Sequence, residues 1–447
     1  MQELAGYKGR ALDLIRSAGA SVGYRVRLTR GEDSVEGLLM PRTAGGDDTH
    51  VVLKLATGYN VGVRIGENTR IEVLGTGAKP ALSRPPKPAS IEGLPVVTIF
   101  STGGTIASRV DYRTGAVEPA LTAEDLYSFV PELASEADVR AKVLYSLLSE
   151  NLTPKHWGEI AKSVCEEIQS GVSGVVIAQG TDTLGYSAAA LSFALQASPV
   201  PIVFTAAQRS SDRPSSDAAT NLIGAVSVAG RAPFAGVVVV MHEWMSDETL
   251  LVHRGTKVRK CHTSRRDAFR SIGAAPLACY NIRARKLEIL ESDFLARAAS
   301  SEVICKPDFD DRVALLKFHP GFDPAVIDWY VSKRYRGLIL EGTGLGHVSA
   351  NCFANLARAV EKDMFIGMTS QCLWGRVDMN VYSTGIDLQK IGVHPLEDIL
   401  PETALVKLMW VLGQTEDPTR IAEIMRTNLV GEISPRRSDG FGDETHH

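Results

Sequence analysis

Two threonines stand just beyond short apolar runs, where a chain can present reactive groups. Residues 99–108 read Ile-Phe-Ser-Thr-Gly-Gly-Thr-Ile-Ala-Ser and residues 179–183 read Gln-Gly-Thr-Asp-Thr. In open α/β sheets ligands bind beyond the carboxyl ends of the strands, so Thr105 and Thr181 can face one another across a single pocket. A hydroxyl becomes a nucleophile only with a base to take its proton, and the reaction needs donors for the developing oxyanion. Gly103 and Gly104 let the backbone pass near a substrate, and N–H groups of a following helix can face a carboxylate or oxyanion. A lysine beside a hydroxyl acts as base only when partly desolvated. Lys260 sits in a run that also holds Arg259, Arg265 and Arg266, cations that would favour its neutral form. Each signal also has a plain reading. Gly-Gly-Thr is a common strand-to-helix turn, Asp182 suits a helix N-cap before residues 183–186, and Lys260 alone reads as a solvated charge.

These segments resemble the asparaginase/glutaminase amidohydrolases. Residues 205–222 (TAAQRSSDRPSSDAATNL) and 260–271 (KCHTSRRDAFRS) match further blocks in the same order, and the likeness covers roughly residues 93–430. The resemblance implies that Thr105 attacks the amide and that Tyr112, in Asp111-Tyr112-Arg113-Thr114-Gly115, lies on a mobile loop close to it. It implies that Thr181, Asp182 and Lys260 form an activating group, with Asp182 also taking the substrate's α-ammonium. Ser149 and Glu150 resemble the segment holding the α-carboxylate and α-amine, and Gly104 and Gly180 shape the substrate's path. Residues 149–151 read equally as a loop leading to a helix cap. Gln179 stands where the family often has His. No match is found for an acidic residue that many bacterial members contribute from the C-terminal lobe, so a neighbouring protomer is a candidate to complete the pocket.

Residues 36–41 (EGLLMP), 51–55 (VVLKL) and 58–62 (GYNVG) resemble the N-terminal extension of the D-subunit family of archaeal glutamyl-tRNA(Gln) amidotransferases. That resemblance implies ammonia release from glutamine or asparagine for a partner, the amidotransferase E-subunit. The partner uses ATP and Mg to convert glutamyl-tRNA(Gln) to glutaminyl-tRNA. It implies no cofactor in this chain, tRNA(Gln) held mainly through the partner, and a homodimer within a heterotetramer. The alternatives are a free-standing cytoplasmic L-asparaginase with an accessory barrel, and a non-catalytic RNA-binding scaffold.

Composition bounds these readings. Of 447 residues, 44% are hydrophobic and 22% charged, which suits a folded globular chain of two or three domains. A net charge of -4 provides no global field for polyanions, so nucleic acid must be met by a local patch or a partner. The densest basic run, residues 254–266 (RGTKVRKCHTSRR), either contacts phosphates or is a solvated hairpin holding Lys260. Six cysteines are scattered without a Cys-x-x-Cys pair, which speaks against a zinc or disulfide framework. His242, His253 and His262 lack matched carboxylates in sequence, and His347 reads as a loop residue. No apolar run reaches membrane-span length and no signal-peptide core is present, which points to a cytoplasmic protein with no membrane contact.

An amphipathic start precedes alternating residues at 22–75, where Tyr24, Val26 and Leu28 interleave with Arg25, Arg27 and Thr29. Short strands at 35–40, 51–55, 60–65 and 70–73 complete a five-stranded, SH3-like small barrel. Four prolines within residues 79–90 mark a semi-rigid linker. Beyond it, non-alternating apolar runs at 96–100, 175–178, 202–205 and 237–240 suit parallel strands buried on both faces. Runs at 313–318, 338–340 and 365–368 suit a second lobe. The fold class is α/β: an asparaginase-like two-lobed parallel-sheet amidohydrolase with a small N-terminal barrel. The expected division is 1–78 barrel, 79–92 linker, 93–290 catalytic domain, 291–312 interdomain linker and 313–447 C-terminal domain.

Overall fold

The computed structural model describes residues 4, 6–42, 46–56, 60–75, 93–104, 106, 108–110, 117–119, 122, 124, 126–127, 130–209, 216–299 and 302–435. After the amphipathic helix Gly9–Ser17, five antiparallel strands form a sheet. Its order is Asn60–Arg64, His50–Lys54, Asp33–Leu39, Arg25–Arg30 and Thr69–Gly75. The period of two holds: Val26 and Leu28 enter a core with Leu39, Val51, Leu53 and Ile15, while Arg27 on the opposite face pairs with Glu36 and Glu72. Tyr7 closes this core by donating its hydroxyl to the Met40 carbonyl at 2.8 Å and accepting from the Val52 amide at 3.0 Å. Burial pushes the pKa of that hydroxyl up to about 12. The expected 79–92 linker lies outside the described residues.

An eight-stranded sheet dominates the rest. Five of its strands are parallel, in the order Asp138–Val143, Val96–Ser101, Gly174–Ala178, Pro201–Thr205 and Gly236–His242. Three antiparallel strands, Thr249–Arg254, Ala278–Asn281 and Lys286–Ile289, extend it past the last of these. Successive strand residues feed two different cores, as a sheet buried on both faces requires. Val175, Ile177, Ile202 and Phe204 pack with helices Pro154–Gln169 and Leu184–Ala194, while Val176, Ala178 and Val203 pack with helix Ala218–Arg231.

The second lobe is a four-stranded parallel sheet, Val313–Lys317, Gly337–Gly342, Phe365–Ser370 and Val393–Pro395. Helix Pro401–Gln414 lies between the two sheets, sharing one core with Phe193 and Ile202 on one side and Ile339 and Phe365 on the other. In the stretch expected as the interdomain linker, 291–312, several described residues are hydrogen-bonded to the body of the protein. Lys306 donates its amide to Ala194, Asp310 donates its amide to Met409, and the Trp410 indole donates to the Lys306 carbonyl.

Candidate functional site

Strands 96–101 and 174–178 are neighbours in parallel register, so the loops leaving their carboxyl ends emerge side by side. The Thr102 amide donates to the Ala178 carbonyl at 3.1 Å, binding the first loop to the second strand. Gly104 has φ +80, and a Cβ there would stand 2.7 Å from the Gly180 amide nitrogen. Only glycine allows two backbones this close with such a φ. Gly180 is in turn pressed on Ser149, where a Cβ would meet the Ser149 Cβ at 3.0 Å and Oγ at 3.1 Å. The Ser149 carbonyl accepts the Thr183 hydroxyl at 2.7 Å. Three loops thus meet around Gly104, Gly180 and Ser149. Ser149 is buried in a single turn, residues 149–151, and Glu150 is exposed. Thr105 and Tyr112 lie outside the described residues.

Lys260 reaches this point from the strand Val258–Lys260, which pairs with Phe269–Ser271. Its Nζ donates to Thr181 Oγ1 at 2.8 Å and to Asp182 Oδ1 at 2.6 Å. The lysine side chain is only 15% exposed, so it is not a solvated charge, whereas Asp182 is 67% exposed. Asp182 does not cap the following helix, which begins at Leu184 after Thr183. Gln179, just before the group, is buried and its side-chain amide has no hydrogen-bond partner among the described residues.

The basic run resolves into ion pairs. Arg254 faces Asp293 at 4.0 Å, Lys257 faces Asp398 at 2.7 Å and Arg259 faces Glu402 at 3.3 Å. Lys260 faces Asp182, Arg265 faces Asp267 and Arg266 faces Asp247. All six cations have carboxylate partners.

Sequence reasoning missed a buried network beside the site. Asp217 accepts the Gln208 and Arg209 amides at 3.0 and 2.9 Å, and Asn221 donates to Ala206 O and to Asp217. His242 bridges Asn221 Oδ1 at 2.7 Å and Asp247 Oδ1 at 3.0 Å. His242 therefore does have a carboxylate partner, contrary to its isolated look in sequence. That hydrogen bond, with Arg266 beside it, holds the Asp247 carboxyl below the usual carboxylate range. The network fixes residues 206–209, which leave the carboxyl end of strand 201–205. Its only sequence trace is the i, i+4 spacing of Asp217 and Asn221. No cluster of three or more metal-ligating side chains occurs among the described residues, nor any helix long and apolar enough to cross a membrane.

Known proteins share this architecture. Family models match as Asparaginase, N-terminal over residues 96–293, as Glutaminase/Asparaginase C-terminal domain over 312–425, and as GatD N-terminal domain over 20–74. The glutamyl-tRNA(Gln) amidotransferase D-subunit of Methanopyrus kandleri is 50% identical over 459 residues, covering 100% of both chains. The chain belongs to the D-subunit family of glutamyl-tRNA(Gln) amidotransferases. The Pyrococcus abyssi relative of the same name is 49% identical, covering 95% of this chain and 97% of its own. Among solved structures, the thermostable L-asparaginase from Thermococcus kodakarensis superposes with TM-score 0.68 at 30% identity, covering 76% of this chain and 100% of that one. L-asparaginase I from Vibrio cholerae gives TM-score 0.67 at 26% identity, over 76% of this chain and 99% of that one. The part without a counterpart in those asparaginases is roughly the length of the N-terminal barrel and linker.

Proposed function

We propose that this chain releases ammonia from glutamine or asparagine as the amide-donor component of a tRNA-dependent amidotransferase. The observation that carries the reading is the bridge from Lys260 Nζ to Thr181 Oγ1 and Asp182 Oδ1 at the carboxyl end of a parallel strand. In the proposed mechanism Thr105 attacks the side-chain amide. Lys260 acts in its neutral amine form: the Thr105 hydroxyl proton passes through Thr181 to its Nζ, which becomes the ammonium paired with Asp182, and Asp182 also binds the substrate's α-ammonium. Tyr112 closes over the nucleophile, Ser149 and Glu150 hold the amino-acid head group, and Gly104 and Gly180 keep the wall between them thin. The chain itself needs no cofactor. The amidotransferase E-subunit supplies ATP and Mg chemistry, binds most of tRNA(Gln), and receives the ammonia, with two copies of each chain in the assembly.

The D-subunit relatives match over the full chain, barrel included, which supports this reading over a free-standing L-asparaginase. The pairing of all six cations in the 254–266 run speaks against an RNA-binding scaffold there. The test is coupling. Glutaminase turnover should rise well above that of the isolated chain when the E-subunit and glutamyl-tRNA(Gln) are added, through ligand-driven closure of the site. Full turnover by the isolated chain, unchanged by the E-subunit and tRNA, would promote the free-standing asparaginase instead.

A further inference from the structure

The segment that delivers Lys260 is held from the second lobe, residue by residue. Thr403 donates its hydroxyl to the Thr256 carbonyl at 3.0 Å. Lys257 donates to the Asp398 carboxylate at 2.7 Å and to the Asp398 carbonyl at 3.1 Å. Arg259 Nε lies 3.3 Å from Glu402. Asp398 is braced in turn by the Ser434 amide at 3.0 Å and by Arg376 at 3.7 Å. Thr256 and Lys257 end the turn that leads into the strand, and within Val258–Lys260 side chains alternate, so Arg259 faces away from the side that carries Val258 and Lys260. Beyond Lys260, residues 261–265 are exposed. The position of Lys260 is therefore set by what precedes it and by the paired strand 269–271.

We propose that Asp398 and Glu402 are positioning residues for amide hydrolysis: acting through Lys257 and Arg259, they fix the strand that presents Lys260 to Thr181 and Asp182. The inference rests on reading Lys260 as the proton acceptor. Stability does not by itself call for these pairs. Burial raises the Glu402 carboxyl above its usual range and pushes the Lys257 ammonium down; the Lys257–Asp398 pair is buried on both sides, and such pairs are often replaceable by apolar residues without loss of stability. What apolar residues cannot supply is a directional hold on the turn at Thr256–Lys257 and on Arg259, the middle residue of the strand that follows. The lobe that carries no part of the Thr181 group thereby controls its base.

The test is steady-state ammonia release from glutamine and asparagine by the full-length chain, under conditions in which the unmodified chain is active. Glu402→Gln keeps the shape and removes the charge. The double variant Lys257→Met/Asp398→Leu replaces a buried pair with apolar groups. Both should lose roughly 10- to 100-fold in kcat while KM stays within about 2-fold, because orientation and not substrate affinity is lost. The melting temperature should be nearly unchanged for Glu402→Gln and lower for the double variant, which also takes the Asp398 carboxylate from the Ser434 amide and Arg376. Arg259→Lys, which retains a cation for Glu402, should keep much more activity than Arg259→Met. Folded variants that retain kcat within about 2-fold, or Arg259→Lys falling as far as Arg259→Met, would overturn the proposal. Lys260→Met, run alongside, separates the two readings. An inactive Lys260→Met with fully active positioning variants overturns only the positioning, whereas an active Lys260→Met overturns the role of Lys260. Should Glu402→Gln fail to fold, the double variant and the Arg259 comparison decide.

Discussion

Replacing Lys407 by Met should be the most destabilising conservative change in the second lobe. Lys407, on the helix between the sheets, pairs with Glu432 at 2.6 Å, and both side chains are 0% exposed. Its ammonium also donates to the carbonyls of Met425 at 3.1 Å and Thr427 at 2.6 Å. The variant keeps most of the volume but leaves a buried carboxylate without its cation, held only by the Leu429 and Val430 amides, and strips a donor from two carbonyls. Breaking one side of a buried pair costs about 3–5 kcal/mol. At about 2–4 °C per kcal/mol for a unit of this size, the melting temperature should fall by roughly 6–20 °C. Scanning calorimetry at one scan rate and concentration provides the comparison. Arg420→Met is the control, since the Arg420–Glu423 pair is more than half exposed and its loss should cost less than about 1 kcal/mol. Lys407→Met/Glu432→Gln should recover part of the loss, because the amide still accepts from Leu429 and Val430 while the buried charge is gone. A single variant that melts within about 2 °C of the parent, or a double variant less stable than the single, would refute this reasoning.

Acid sensitivity should trace in part to His253, whose imidazole pKa is pushed down to about 3 by burial, aided by Arg270. Its folded value lies below the unfolded one of about 6.5, so its contribution is complete above that pH and is lost as pH falls toward 3; His253→Gln should flatten the stability profile across this window in urea titrations. Gly104→Ala should nearly abolish ammonia release, because its Cβ meets the Gly180 nitrogen at 2.7 Å and the atoms it would meet are all backbone of Gln179–Gly180, and unchanged turnover would show that the two loops can part freely. Asp217→Ala should destabilise the chain by about 3 kcal/mol, since three donors lose a buried carboxylate, and a loss under about 1 kcal/mol in denaturant melts would contradict that count.

Legibility followed the range of the interactions. The barrel strands were readable because Val26 and Leu28 alternate with Arg25 and Arg27, and the parallel strands because apolar runs such as 174–178 serve two cores at once. In the antiparallel extension, Ala278–Asn281 and Lys286–Ile289 are four-residue strands of mixed polar and apolar side chains, and nothing local in the six-residue Thr249–Arg254 records its reversed direction. The meeting of Lys260 with Thr181 and Asp182 was legible only through motif order, since nothing local at residue 260 records a partner 79 positions earlier. The same limit hid the partners of Lys257 and Arg259, which lie 141 and 143 positions later and turn an apparent basic patch into ion pairs. His242 looked isolated because Asn221 comes from a helix and Asp247 from a loop, joined only by the folded sheet.

The most direct test of the central claim, that Thr181 and Lys260 work as one unit in amide hydrolysis, is a double-mutant cycle on ammonia release from glutamine. Thr181→Ala and Lys260→Met should each reduce kcat on the order of 10²–10⁴-fold in folded protein, and the double variant should be scarcely worse than either single one. Losses that multiply independently, or a Lys260→Met variant that keeps most of its rate, would contradict the account.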